Sequence, residues 1–198
     1  MFLSEIKNIV GVVAIILVFV GYVPYIRDIL KGKTIPHVYS WILWGFVGGI
    51  TFALQISDGA GLGAFVTLAA ELMCAVVVAL SILLHRSKFD ITKTDTFFLS
   101  MAFVSLGFWL IAKQPIISIL LVTTTELLAF VPTIRKTWHK PHSETLSLYS
   151  LNTLRFGLAF LALQHYSFIT AMYPITWTIA NGFFTLMLIL RRKRTTIS

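Results

Sequence analysis

Charged residues are scarce in this sequence. They make up 12% of the 198 residues, whereas 57% are hydrophobic, and a soluble domain is typically about one quarter charged. A chain of this length could not bury so much apolar surface in a single core. The composition therefore argues against an ordinary water-soluble domain and favours a protein whose apolar surface contacts lipid.

Cysteine is almost absent as well. The one cysteine, Cys74, lies inside an apolar run, so an intramolecular disulfide is impossible and a cysteine-based metal site is not expected. His139 and His142 lie in a cationic loop without a third ligand nearby. We therefore predict no metal site and no cofactor. The sequence also lacks a phosphate-binding glycine-rich loop, a nucleophile elbow and a metalloprotease motif, which argues against an enzyme.

Long apolar runs fill the chain instead, and Gly, Pro or charged residues separate them. Crossing the hydrocarbon core takes about 20 mostly apolar residues, and segments in lipid must be helical to satisfy their backbone. We therefore predict an all-α integral membrane protein with seven transmembrane helices. Their expected positions are 8–27, 38–56, 61–85, 95–112, 115–134, 146–165 and 170–190.

The basic residues cluster on one side of these predicted spans. Thirteen Lys and Arg residues lie in the loops after helices 1, 3 and 5 and in the C-terminal tail. Only Lys7 and Lys113 lie on the other side, and Arg155 is inside helix 6. The positive-inside rule places the C-terminus in the cytoplasm and the N-terminus outside, as in a bacterial inner (plasma) membrane. The loops account for the net charge, so we expect no nucleic-acid partner.

A sequence pattern recurs along the chain at a nearly constant offset. The offset is 108 between the Val-Pro-Xaa-Ile-Arg segments at Val23 and Val131, 109 between the Ala-Leu-Gln segments at Ala53 and Ala162, and 110 between Ala70-Glu71 and Ala180-Asn181. We therefore predict that helices 1–3 and 5–7 are the same three-helix unit. One spanning helix links them, so the two repeats run parallel. This 3+1+3 arrangement divides the chain into 1–94, a linker helix at 95–113, and 114–198.

This layout resembles the PQ-loop superfamily: a proline closes helices 1 and 5, a basic loop follows, and a serine opens the next helix. Within that superfamily the chain is similar to the SWEET and SemiSWEET (MtN3-type) sugar transporters. The Asn181-Gly182 pair in helix 7 is similar to the SWEET seventh helix, in which an asparagine faces the substrate. The resemblance implies a transporter of a small polar solute.

Two departures from the family pattern weaken the case for a sugar. Neither Pro24 nor Pro132 is followed by Gln, and Glu71 stands where sugar transporters usually have asparagine. The resemblance therefore supports the fold and transport more than it supports sugar as the cargo.

Polar residues at mid-depth are the candidates for the solute site. Glu71 and Asn181 occupy matched repeat positions about ten residues into helices 3 and 7, roughly 15 Å below the outer surface. Ionisable groups at such a depth are costly and usually functional. Trp177 shares a helix face with Asn181, and Trp44 begins helix 2; either ring could stack on a solute. The alternatives are helix packing for the polar pair and interfacial anchoring for tryptophan.

Two other pairs have predicted structural roles. Glu126 and Arg155 also fall at mid-depth, and we expect them to form a structural ion pair; the alternative is that Arg155 binds an anionic solute. Pro24 and Pro132 each remove a helix hydrogen bond near the cytoplasmic end. We interpret them as hinges, and the alternative is simple helix termination.

These features together predict a facilitative or proton-coupled carrier for a small polar solute, with its site between two repeats. In the coupled case Glu71 would carry the proton. The alternative is a non-transporting membrane receptor or scaffold, because a fold does not fix a function. The expected partners are the solute and the lipid bilayer, and assembly into a homo-oligomer stays open.

Overall fold

The computed structural model describes residues 2–32, 36, 38–85, 93–142, 144 and 146–197, and these residues form seven helices. The helices are α1 (Phe2–Leu30), α2 (Val38–Ser57), α3 (Leu62–Leu83), α4 (Lys93–Leu110), α5 (Pro115–His139), α6 (Leu146–Leu161) and α7 (Phe168–Ile197). Five of them, α1, α2, α3, α5 and α7, are long and apolar enough to cross a membrane. The prediction of an all-helical membrane protein is confirmed at this level.

Helices α4 and α6 are shorter than the other five. The apolar part of α4 runs from Thr96 to Leu110, and α6 has 16 residues with a buried Arg155 among them. Both are below the length of about 20 residues that spanning usually takes. Seven crossings therefore stay a prediction. The basic residues Lys33, Arg86 and Lys88, which supported the predicted orientation, lie outside the described residues.

Helices α1 and α5 continue past the prolines that were predicted to close them. Pro24 lies inside α1, which runs on to Leu30, and α5 runs past position 132 to His139. The alternative to the hinge interpretation, simple helix termination at these prolines, is therefore wrong. A proline inside a helix leaves a carbonyl without its usual donor, which is the local weakness that a hinge requires. The side chain of Pro132 lies outside the described residues.

The third helix of each predicted repeat lies between the other two. Helix α3 packs against α1 and α2, and α7 packs against α5 and α6, while α4 packs against α5 and α2. The two triplets meet where α1 contacts α6 and where α2 contacts α5. If α1 is exchanged with α5 and α2 with α6, the α1–α6 contact becomes the α2–α5 contact and the reverse. Two copies of one repeat would show this symmetry.

The α2–α3 and α6–α7 loops contact each other at one end of the bundle. The backbone N–H of Gln164 donates to the Ala60 carbonyl over 3.0 Å, and Nδ1 of His165 lies 2.9 Å from the Asp58 carbonyl oxygen. Ser167 Oγ also donates to the Asp58 carboxylate. These contacts explain why α6 does not reach its predicted end at 165: the backbone N–H of Gln164 bonds to the other loop instead of to the preceding turn of the helix.

Helices α3 and α6 approach closely at Gly63, and this contact leads to a stability prediction. A Cβ atom at this position would lie 2.8 Å from the Ala159 carbonyl oxygen and 3.0 Å from the Leu163 nitrogen. We expect Gly63→Ala to destabilise the protein by about 1–3 kcal/mol through overpacking, measured as a lower melting temperature in detergent. Gly49→Ala is the control, because a Cβ there meets no atom within 4 Å. Equal melting temperatures would contradict the close contact.

Candidate solute site in a central cavity

A cavity of about 180 Å³ lies where the two helix triplets meet, and α1, α2, α3, α5, α6 and α7 all contribute to its wall. The ionisable and amide side chains on the wall are Glu71, Glu126, Arg155, Asn152 and Asn181. The rings are Tyr22, Tyr25, Trp41, Trp44, Phe130, Tyr149, Phe156, Tyr173 and Trp177. Pockets for drug-sized ligands have about 300–1,000 Å³, so this cavity suits a smaller solute.

The four residues predicted to bind the solute all line this one cavity. They are Glu71, Asn181, Trp177 and Trp44, contributed by α3, α7, α7 and α2. Asn181 is almost fully buried, and its Nδ2 donates to the Trp177 carbonyl of its own helix over 2.8 Å. The sequence analysis therefore selected four residues that share one cavity wall, and their role in binding a solute stays a prediction.

The Glu126 carboxylate is bound by the indole of the facing helix. Nε1 of Trp177 donates to Oε2 of Glu126 over 2.9 Å, and Glu126 is 6% exposed. The Trp177 ring also lies nearly parallel to Phe156, with ring centres 6.2 Å apart and an interplanar angle of 24°. The indole is thus held both by its N–H and by its face, which links α5, α6 and α7 at the cavity wall.

The predicted ion pair between Glu126 and Arg155 is not a direct contact. Glu126 accepts the Trp177 hydrogen bond, whereas Nε and Nη1 of Arg155 are buried without a hydrogen-bond partner among the described residues. The guanidinium lies 4.6 Å from the centre of the Phe156 ring. A neutral indole donor satisfies the carboxylate, so the arginine remains available.

Arg155 is not the only charged side chain with an unpartnered atom on the cavity wall. Oε2 of Glu71 is likewise buried and without a hydrogen-bond partner among the described residues. Buried polar atoms are normally hydrogen-bonded, because leaving them unpaired costs free energy. The cavity wall carries a guanidinium and a carboxyl group that each have buried atoms without such a hydrogen bond in the described part of the chain. The cavity is therefore suited to a polar ligand that supplies the missing partners.

Gly48 of α2 makes room for the Glu71 carboxyl group. A Cβ atom at position 48 would overlap that carboxyl, and its three nearest atoms would all belong to Glu71. The α2 backbone therefore forms the surface against which the carboxyl lies. Any side chain at position 48 would displace it.

Several residues of the cavity wall were missed by the sequence analysis, and the repeat offset would have found some of them. Offsets of 108 and 110 relate Tyr22 to Phe130, Tyr25 to Thr133 and Thr67 to Trp177, and all six line the cavity. The tyrosines gave no signal of their own in a chain rich in aromatic residues. Cys74 was also missed as a cavity residue, and its Sγ lies 3.9 Å from the Tyr22 hydroxyl.

The predicted hinge positions lie beside the cavity. Tyr25 and Thr133, the residues that directly follow the two prolines, both belong to its wall. A bend of α1 or α5 at these positions would therefore change the shape of the cavity. The hinge role itself stays a prediction.

The chain has no match among protein-family models, curated proteins or solved structures.

Proposed function

We propose that the protein is a carrier for a small polar solute and that the central cavity is its binding site. The observation that carries this proposal is a cavity on whose wall Arg155 and Glu71 have buried atoms without a hydrogen-bond partner among the described residues. The cavity lies among helices apolar enough to span a membrane. Charged groups at membrane depth are costly and usually belong to a pathway for solutes or ions. A receptor or scaffold that binds nothing at this depth would not require them.

The proposal includes the two parallel repeats, with α4 as the linker between them, and the PQ-loop resemblance. The symmetric helix contacts and the four repeat-matched pairs on the cavity wall, including Glu71 with Asn181, support it. Carriers built from parallel repeats have their site where the repeats meet. The proposed location is the bacterial inner membrane, with the N-terminus outside and the C-terminus in the cytoplasm, on the basis of the Lys and Arg distribution.

The shape of the bundle supports access from the cytoplasmic side in this conformation. Tyr25, Trp41 and Tyr149 on the cavity wall lie near the helix ends that face the predicted cytoplasm. At the opposite end the α2–α3 and α6–α7 loops are bonded to each other. A carrier must open alternately to each side, and bending at Pro24 and Pro132, the proposed hinges, would let the cytoplasmic ends of α1 and α5 move.

Uptake into proteoliposomes tests the proposal. The purified protein should transport at least one labelled solute from a panel of sugars, amino acids and organic anions, with saturation. Glu71→Gln keeps the size of the side chain but cannot ionise. If the carrier is proton-coupled, this variant should lose accumulation driven by a pH gradient and keep exchange down a concentration gradient. If Glu71 only binds the solute, both activities should fall by about tenfold or more.

Glu5→Gln is the matched control, because Glu5 lies in the first turn of α1 and is exposed. It should leave uptake unchanged. Solute binding without any uptake would favour a receptor over a carrier. Uptake that is unaffected by both Glu71→Gln and Asn181→Ala would show that the cavity is not the transport site.

A further inference from the structure

The charged side chains on the cavity wall indicate which chemical class of small polar solute the cavity would bind. Three side chains on the wall carry a carboxyl or a guanidinium group: Glu71, Glu126 and Arg155. Glu126 already accepts the indole N–H of Trp177. This leaves one cationic side chain and one acidic side chain whose buried atoms have no partner among the described residues.

We propose that the cavity selects a zwitterion of the size of a single α-amino acid, with Arg155 binding its carboxylate and Glu71 binding its ammonium group. This inference rests on the proposed function and specifies its substrate class. A guanidinium forms its strongest hydrogen bonds with carboxylates, and an ionised carboxyl accepts the N–H groups of an ammonium. A solute with both groups supplies both missing partners at once.

Other classes of small solute fit this pair of side chains less well. A sugar offers neutral hydroxyl groups, which form weaker hydrogen bonds with a guanidinium than a carboxylate does. A monovalent anion would satisfy Arg155 and leave Glu71 unpaired, and a monovalent cation would do the reverse. Stranding one buried charged group is strongly unfavourable.

The positions of the two side chains also suit a solute that bridges the repeats. Glu71 lies on α3 and Arg155 on α6, so each proposed triplet contributes one charge. The Glu71 carboxyl lies against the α2 backbone at Gly48. A bound zwitterion would therefore connect the two halves of the bundle through its own backbone atoms, while its side chain would lie among the rings. The cavity of about 180 Å³ has room for one amino acid.

The test is a binding experiment on the purified full-length protein in detergent, which does not depend on transport. The proteinogenic amino acids and glucose are first ranked by their dissociation constants. The amino acid that binds best is then compared with its amide, which lacks the carboxylate, and with its N-acetyl derivative, which lacks the ammonium. Since hydrogen bonds to charged groups are worth about tenfold or more in affinity, the parent should bind at least about tenfold tighter than either analogue.

Two variants assign the two charges to the two side chains. Arg155→Gln should weaken binding of the parent by about tenfold or more and should not weaken binding of the amide, because the amide has no carboxylate for Arg155 to bind. Glu71→Gln should weaken binding of the parent and should not weaken binding of the N-acetyl derivative, which has no ammonium group for Glu71 to bind. If Arg155→Gln does not fold, the analogue series on the unaltered protein and the Glu71→Gln variant still decide the question.

The outcomes separate this inference from the proposed function. Uptake and binding of glucose without binding of any amino acid would overturn the zwitterion assignment and keep the carrier. Equal binding of the parent, the amide and the N-acetyl derivative would also overturn it. Amino-acid binding with the expected analogue pattern but without uptake would keep the assignment and overturn the carrier. Absence of both binding and uptake for the whole panel would overturn both.

Discussion

Gly48→Ala is expected to lower solute uptake by about tenfold or more while leaving the melting temperature nearly unchanged. The new methyl group would occupy the space of the Glu71 carboxyl group. The carboxyl is the free end of a flexible side chain, so it can turn away at little cost in stability. The protein would then remain folded, but its acidic group would no longer be in the position that the cavity requires. Uptake and melting temperature are measured on the same preparation.

Gly49→Ala is the matched control for this prediction. It makes the same chemical change one residue further along α2, where a Cβ atom meets nothing within 4 Å. Uptake should be unchanged in this variant. Equal loss of uptake in both variants would mean that α2 tolerates no alanine in this region for reasons unrelated to Glu71. Full activity of Gly48→Ala would remove the carboxyl position from the proposed site.

Gln55→Leu is expected to cause the largest loss of stability. Gln55 is 1% exposed and connects three helices: its Nε2 donates to the Thr170 carbonyl over 3.1 Å, and its Oε1 accepts the Thr67 hydroxyl over 3.0 Å. Leucine has a similar shape but makes neither bond. Each buried group left without its partner costs about 1–3 kcal/mol. A fall in the melting temperature measures the effect.

Gln164→Leu is the control for this second prediction, because Gln164 is the repeat counterpart of Gln55 at an offset of 109. Its Nε2 donates to Asn8 Oδ1 over 2.8 Å at the exposed end of the bundle. Water can replace that bond, so the melting temperature should fall much less. An equal fall in both variants would contradict the view that burial of the Gln55 network makes it important.

The repeat offset and the scarcity of charged residues were the two sequence features that best predicted the candidate site. Glu71 and Asn181 were selected because they occupy matched positions at mid-depth in apolar runs, and the structure brings both to one cavity. The all-helical class follows from composition, since the excess apolar surface and the backbone both need helices in lipid. Hydropathy located the spans, but it reports the apolar length and not the helical length. It therefore missed the extension of α1 to Leu30.

The sequence could not predict which side chains contact each other inside the cavity. An Arg and a Glu at similar depth predict an ion pair, but the choice of partner depends on how each helix is rotated about its axis. The indole of Trp177 reads as an apolar ring in the sequence, yet its N–H occupies the Glu126 carboxylate. No sequence pattern indicated Gly48 either, because glycine is common in apolar helices. Its importance comes from the neighbouring α3 side chain.

The position of the only cysteine has a practical consequence. Cys74 lies on the cavity wall beside Tyr22, and the chain has no other thiol. A small thiol-reactive probe would therefore attach at a single place without any prior removal of native cysteines. The rate at which such a probe modifies Cys74 in the unaltered protein would thus report on access to the interior of the bundle.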